Sequence, residues 1–425
     1  MGDGIGLACA FVTVPRAPLV GTAGVLAACA ALVAASTAWK GVCVDASRNY
    51  PVTCYSDVLE LFTSRDLARA SFPYVGGRLE GGAPVDTFEY PVLTGVFAWL
   101  TAQPAGGRTS YLLLSALALA PFALLVAWQL SRMVGARALL FAAAPALVLY
   151  ALHNWDLLAV AATSSALWAW WRGRSGWAAV LLGVGACLKV YPGLFLLPLA
   201  VERWVRGDRR GAGEVLLFGG ATVLAVNLPF VLLDRDGWWT TYAFQSARAA
   251  DSSSNSLWFW VWPHLSTEQL NRLVPVLVLL ALLAACGYGL LRARREGAFP
   301  LLQVCAAVLV AFLLVNKVSS PQYTLWVLPF FALLRLRWGW WAAYAVTDLL
   351  VYVGVFRWFA ALVAGTEPQL WERMLVVGVW TKCALLALLF VVFLRARDAL
   401  LDQPTQRPEV KVSTSSAMSG ADSAT

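Results

Sequence analysis

The chain has 425 residues, of which 60% are hydrophobic and 13% charged, with a formal net charge of +8. Soluble domains carry about 25% charged residues, so a water-soluble class is excluded. The basic excess does not point to nucleic acid, because the arginines sit in short clusters between apolar runs, where membrane proteins keep their cytoplasmic anchors.

Residues 1–16 read as a cytoplasmic N-terminus, with Arg16 just ahead of the first apolar run. That run, Val20–Ala38, lacks a small-residue cleavage signal and is expected to be a retained helix rather than a signal peptide. It and Tyr111–Leu130, Leu273–Leu291 and Met374–Leu394 each approach the length of a bilayer crossing. Nothing alternates like a barrel strand, so these runs are expected to be helices. Residues 39–109 form the expected first extracytoplasmic loop. Within it Tyr90–Thr101 is too short to span and is read as a helix dipping into the outer leaflet.

The later basic clusters are Arg132 with Arg137, Arg172 with Arg174, Arg203 to Arg210, Arg292 to Arg295, Arg335 with Arg337, and Arg395 with Arg397. Placing all of them inside leaves two crossings between successive clusters and gives about twelve helices, both termini cytoplasmic. Two of these crossings, Gly176–Leu188 and Gly193–Arg203, are short and interrupted by Lys189, Pro192 and Pro198. Broken helices survive at membrane depth only beside protein or a water-filled cavity, so an outward-opening cavity is expected. No linker interrupts residues 17–397, which form one all-α polytopic membrane domain. Residues 398–425, Ser-rich and polar from about Asp402, are expected to be a disordered cytoplasmic tail.

Ionisable residues beside membrane helices are costly and usually face a cavity or a partner. Here they gather at the outer tips, with little at the other end except basic anchors. The first loop holds Asp45, Asp57, Asp66, Asp86 and Glu89 with Arg48, Arg65, Arg69 and Arg78. The other tips add His153, Asp156, Lys189, Asp234, Asp236, Arg248, Asp251 and Lys317. Carboxylates and cations on one face suit binding of a phosphorylated donor and deprotonation of an acceptor. Loop residues such as Asp45, Asp66, Asp86, Asp234 and Asp236 read first as solvated. Asp57 and Asp156 each begin an apolar helix and could act only as caps. Lys189 could merely snorkel to the interface. Lys317 precedes Ser-Ser-Pro321, a non-helical turn with free backbone N–H groups suited to an anion. Arg248 suits bidentate phosphate binding. Trp238, Trp239, Trp258, Trp260 and Trp262 read as interface anchors that could also pack on a sugar or lipid tail. Of the eight cysteines, Cys43 and Cys54 share the outer loop, where an oxidising compartment permits a disulfide. Two histidines support no dedicated His-based metal site, and no phosphate loop of the nucleotide-driven pumps is present.

Tyr55-Ser-Asp57, Pro73-Tyr74, Glu89-Tyr-Pro91, Asn154-Trp-Asp156, Lys189-Val-Tyr-Pro192 and Ser320-Pro-Gln-Tyr323 follow in that order. Together they resemble glycosyltransferase family 87, the actinobacterial polyprenol-phosphate-mannose-dependent α-mannosyltransferases of the GT-C superfamily. The resemblance spans roughly residues 17–395. It implies a GT-C fold, a polyprenyl-phosphate-sugar donor, a glycolipid or glycan acceptor, and catalysis at the outer face of the cell membrane with Asp57 as general base. The family often has two prolines after the tyrosine where this chain has Pro91-Val92, which leaves sugar and acceptor open.

On chemical grounds Asp57 would take the acceptor proton, while Lys189, Arg248, Lys317 and Gln322, with Tyr323, would bind the donor phosphate and sugar. Glu89, Tyr90, His153, Asp156 and Tyr191 would support them or bind the acceptor. Cations that neutralise a monophosphate make a metal-independent reaction the expectation. The rival reading, a transporter or flippase of lipid-linked sugars, predicts polar residues running through to the cytoplasmic half.

Overall fold

Among the described residues of the computed structural model, six helices are long and apolar enough to cross a bilayer: Thr22–Gly41, Arg108–Ala142, Arg209–Leu233, Thr267–Glu296, Trp338–Ala364 and Gln369–Arg395. The structure describes residues 21–44, 54–68 and 72–401. Arg16, Asp45, Arg48, Arg69, the 1–16 segment and residues 402–425 fall outside that range. Among the described residues the remaining crossings of the expected dozen would have to be made by shorter apolar helices, such as Ser175–Ala186 and Leu301–Val315. Among the described residues strand is confined to two short ribbons, Arg78–Glu80 with Ala83–Val85 and Leu334–Arg335 with Arg397–Asp398. The all-α polytopic class holds.

Local chemistry sets the helix ends. Thr267–Glu296 starts at a reciprocal box, in which Ser266 Oγ accepts the Gln269 N–H and Gln269 Oε1 accepts the Ser266 N–H. It stops at Gly297, whose φ of +79° closes the last turn after Arg294 and Arg295. Leucines at 216, 217, 224, 228, 232 and 233 of Arg209–Leu233 are exposed, the inverse of a soluble helix and the mark of a lipid-facing surface. The centre is apolar too: all ten residues of Thr324–Leu333 are buried. Trp338–Ala364 packs along Gln369–Arg395 with a glycine on each side of the contact. A Cβ at Gly354 would lie 2.8 Å from the Leu375 backbone, and one at Gly378 would lie 3.0 Å from the Val351 nitrogen. Small residues allow such close approach in membranes.

Several boundaries moved. The expected dipping helix is Val92–Ala102, and the crossing after it begins at Arg108. Pro198 does not interrupt its helix, since it lies in the first turn of Leu196–Val205, where a missing N–H costs nothing. The break comes earlier, at Cys187–Val190, before a 3-10 turn over Tyr191–Phe195. The tail starts later than residue 398. Asp398 pairs with Leu334, the Ala399 N–H bonds Leu333 O, and the Leu401 N–H bonds Met133 O.

Candidate active site

The turn carrying Asp57 is laid onto the chain before Asp156. Asp57 is the first residue of helix Asp57–Ser64, whose N-cap is Ser56. Ser56 does not cap through its hydroxyl, which donates instead to Leu152 O at 2.6 Å, and the Asp57 N–H donates to His153 O at 2.7 Å. The Asp57 carboxylate lies one residue inside the N-cap and takes its bonds from other elements. Its Oδ2 accepts from Asn154 Nδ2 at 2.7 Å and from the Tyr90 hydroxyl at 3.3 Å. Burial first, then the Asp57 charge, holds the Tyr90 phenol well above its ordinary range, so it stays a donor.

Lys189 sits at the break between helices Ser175–Ala186 and Leu196–Val205. Its ammonium is buried, 4.4 Å from the centre of the Tyr90 ring and 3.4 Å from Asp156 Oδ1. Asp156 opens helix Asp156–Trp171 without a side-chain cap bond. Its Oδ1 also accepts from Trp326 Nε1 at 2.8 Å. Capping therefore does not account for Asp156, and snorkelling does not account for Lys189. Trp326 stacks between Tyr191 and Tyr323, at centroid distances of 4.4 and 4.0 Å.

Asp57, Glu89, Tyr90, His153, Lys189, Tyr191, Arg248, Lys317, Gln322 and Tyr323 all line one cavity of about 1260 Å³. Asp156 stands behind its wall, paired with Lys189. On the far side Lys317 donates to Asn271 Oδ1 at 2.7 Å and Ser246 O at 3.0 Å. Burial, reinforced by Arg248, lowers its ammonium to about 8. Half-buried Arg248 ends helix Arg235–Ala247. Gln322 is 3% exposed in the 3-10 turn Pro321–Tyr323. Glu89 pairs with Arg65 at 2.9 Å; burial raises its carboxyl and Arg65 partly offsets that. His153 is pushed well below its ordinary range by burial, then by Lys40 and Lys189, and is a neutral ring.

Other candidates are explained locally. Asp86 pairs with Arg78, and Asp234 accepts from the Gly237 and Gly76 N–H groups. None of Trp238, Trp239, Trp258, Trp260 and Trp262 lines the cavity. Cys43 and Cys54 form a disulfide. Sequence reasoning missed Lys40, a lysine in the last turn of a membrane helix that reads as an anchor. It passed over Asn154, though that residue lies inside a quoted motif. The expectation that ionisable groups stay at the tips needs correcting. Asp348 and Lys382, each near the middle of its helix, are buried and paired at 2.9 Å, with Thr324 donating to Asp348. Each lies alone in an apolar stretch, and only the packing of two helices brings them together.

The model of glycosyltransferase family 87 matches residues 88–315. No curated protein matches the chain. The matched span holds Glu89, Tyr90, His153, Asp156, Lys189, Tyr191 and Arg248. Asp57 and the Lys317–Tyr323 segment lie outside it and join these residues through the shared cavity. The match covers more than half of a polytopic helical chain whose charged side chains converge on one large cavity, and the chain belongs to glycosyltransferase family 87, a membrane sugar transferase.

Proposed function

We propose that the chain transfers a sugar, mannose in the first instance, from a polyprenyl-phosphate donor to a glycolipid or glycan acceptor. The reaction runs at the extracytoplasmic face of the cell membrane in a GT-C framework. The observation that carries this reading is the contact of Asp57 with Tyr90, whose ring lies against the Lys189 ammonium in one cavity. A carboxylate for the acceptor proton and a cation for the departing phosphate thus meet on opposite parts of one tyrosine in one cavity.

Asp57 Oδ2 takes the acceptor hydroxyl proton as its oxygen bonds to the anomeric carbon and the bond to the lipid phosphate oxygen breaks. A hydroxyl sheds its proton late in such a step, so a weak base suffices. Charge grows on the departing phosphate, where Lys189, Arg248 and Lys317, with Gln322, offer fixed donors. One displacement inverts the anomeric centre, so a β-linked donor gives an α-linked product. The cations neutralise a monophosphate without a metal, so a chelator leaves the rate unchanged.

The test supplies purified protein with polyprenyl-phosphate-mannose and cell-envelope acceptors. Transfer in the wild type, reduced about 10²- to 10⁴-fold in Asp57→Ala, supports the reading. The buried Asp348–Lys382 pair is what a transporter or flippase of lipid-linked sugars would carry deeper in its helices. Movement of the lipid-linked sugar across vesicles without any transfer would establish that second reading instead.

A further inference from the structure

Lys40 ends the first long helix with its side chain fully buried. Its ammonium donates to Tyr55 O at 2.6 Å and to the Tyr352 hydroxyl at 3.3 Å, and lies 3.4 Å from His153 Nδ1. An ammonium has no lone pair, so the neutral His153 ring accepts through Nδ1. Among the described residues no carboxylate pairs directly with Lys40. A buried ammonium without a counter-ion is expensive, so its position requires an explanation. Two of the three contacts bear on one short turn. Tyr55 lies two residues before Asp57, and His153 receives the Asp57 N–H on its own carbonyl. Lys40 therefore grips both sides of the seam that holds Asp57.

We propose that Lys40 is a positioning residue for Asp57, fixing the Tyr55–Asp57 turn against His153 and so the direction from which the carboxylate enters the cavity. The proposal rests on the reading of Asp57 as general base. Lys40 touches no reacting atom, and its contribution is to the orientation of the base.

The experiment measures kcat, KM for polyprenyl-phosphate-mannose, and thermal unfolding of the full chain in detergent. Wild type is compared with Lys40→Met, Lys40→Gln, Asp57→Asn and Asp57→Asn combined with Lys40→Met. Lys40→Met is expected to lose about tenfold to a hundredfold in kcat, part of what general-base catalysis supplies. KM should stay within about twofold, and the unfolding temperature should change little, because removing a buried ammonium that has no counter-ion among the described residues strands no charge and relieves its own desolvation cost. In the Asp57→Asn background the Lys40 change should cost nothing further, since the two act as one unit. Lys40→Gln keeps a donor for Tyr55 O and should lose less than Lys40→Met. Wild-type kcat in Lys40→Met, or a loss that tracks the unfolding temperature in both Lys40 variants, overturns the proposal in favour of a structural lysine. An active Asp57→Asn enzyme overturns the underlying assignment of the base, a result distinct from either.

Discussion

Asn154 Nδ2 lies 2.7 Å from Asp57 Oδ2 and 2.6 Å from the Tyr90 hydroxyl, so one amide aligns both. Asn154→Ala removes the closest donor to the carboxylate while sparing every cation. It is expected to lower kcat about tenfold or more with little change in donor KM, checked by steady-state kinetics. Lys317 gives a pH signature. Burial and Arg248 lower its ammonium to about 8, so it is charged below that pH and neutral above it. Donor KM should therefore rise as pH passes through about 8, and the rise should be absent in Lys317→Met. An unchanged pH dependence in that variant would remove Lys317 from the donor site.

The elements that carry these residues are short, and their shortness explains what could be read in advance. Lys189 and Pro192 betrayed a broken crossing because a charge and a helix breaker in an apolar run have few other causes. The cluster of Asp57, Glu89, Lys189 and Lys317 was foreseeable from position at successive tips. Lys40 and the Asp348–Lys382 pair were not, because a single ionisable residue in an apolar helix carries no sign of which helix faces it. Helix periodicity says which residues share a face, and only tertiary packing says whose face they meet. The first helix and the Asp57 turn are also joined covalently by Cys43–Cys54, which lie 11 residues apart. Closing a loop of this size stabilises by about 3 kcal/mol. Reduction, or Cys54→Ser, should lower the unfolding temperature and reduce kcat together; a reduced enzyme with full activity would show that the bridge does not hold the base.

Among the described residues, two groups of buried charge differ in setting. Those at the cavity are the ones proposed to meet ligand, whereas Asp348 and Lys382 tie Trp338–Ala364 to Gln369–Arg395 beside Thr324, the residue after the Gln322–Tyr323 turn. Lys382→Met leaves Asp348 buried and unpaired and should cost about 3–5 kcal/mol. The double change Asp348→Leu with Lys382→Met should recover most of that loss, read by thermal unfolding in detergent. Failure to recover would mean that the ion pair, with the Thr324 bond, holds the two helices better than apolar packing can.

The Cys43–Cys54 bridge has a temporal consequence. The cytosol keeps thiols reduced, and on the proposed orientation both sulfurs meet an oxidant only once their loop has been exported. Lys40 lies three residues before the first and Tyr55 directly after the second. On that orientation a newly translated copy lacks the covalent tether of its proposed base until the loop reaches the outer face.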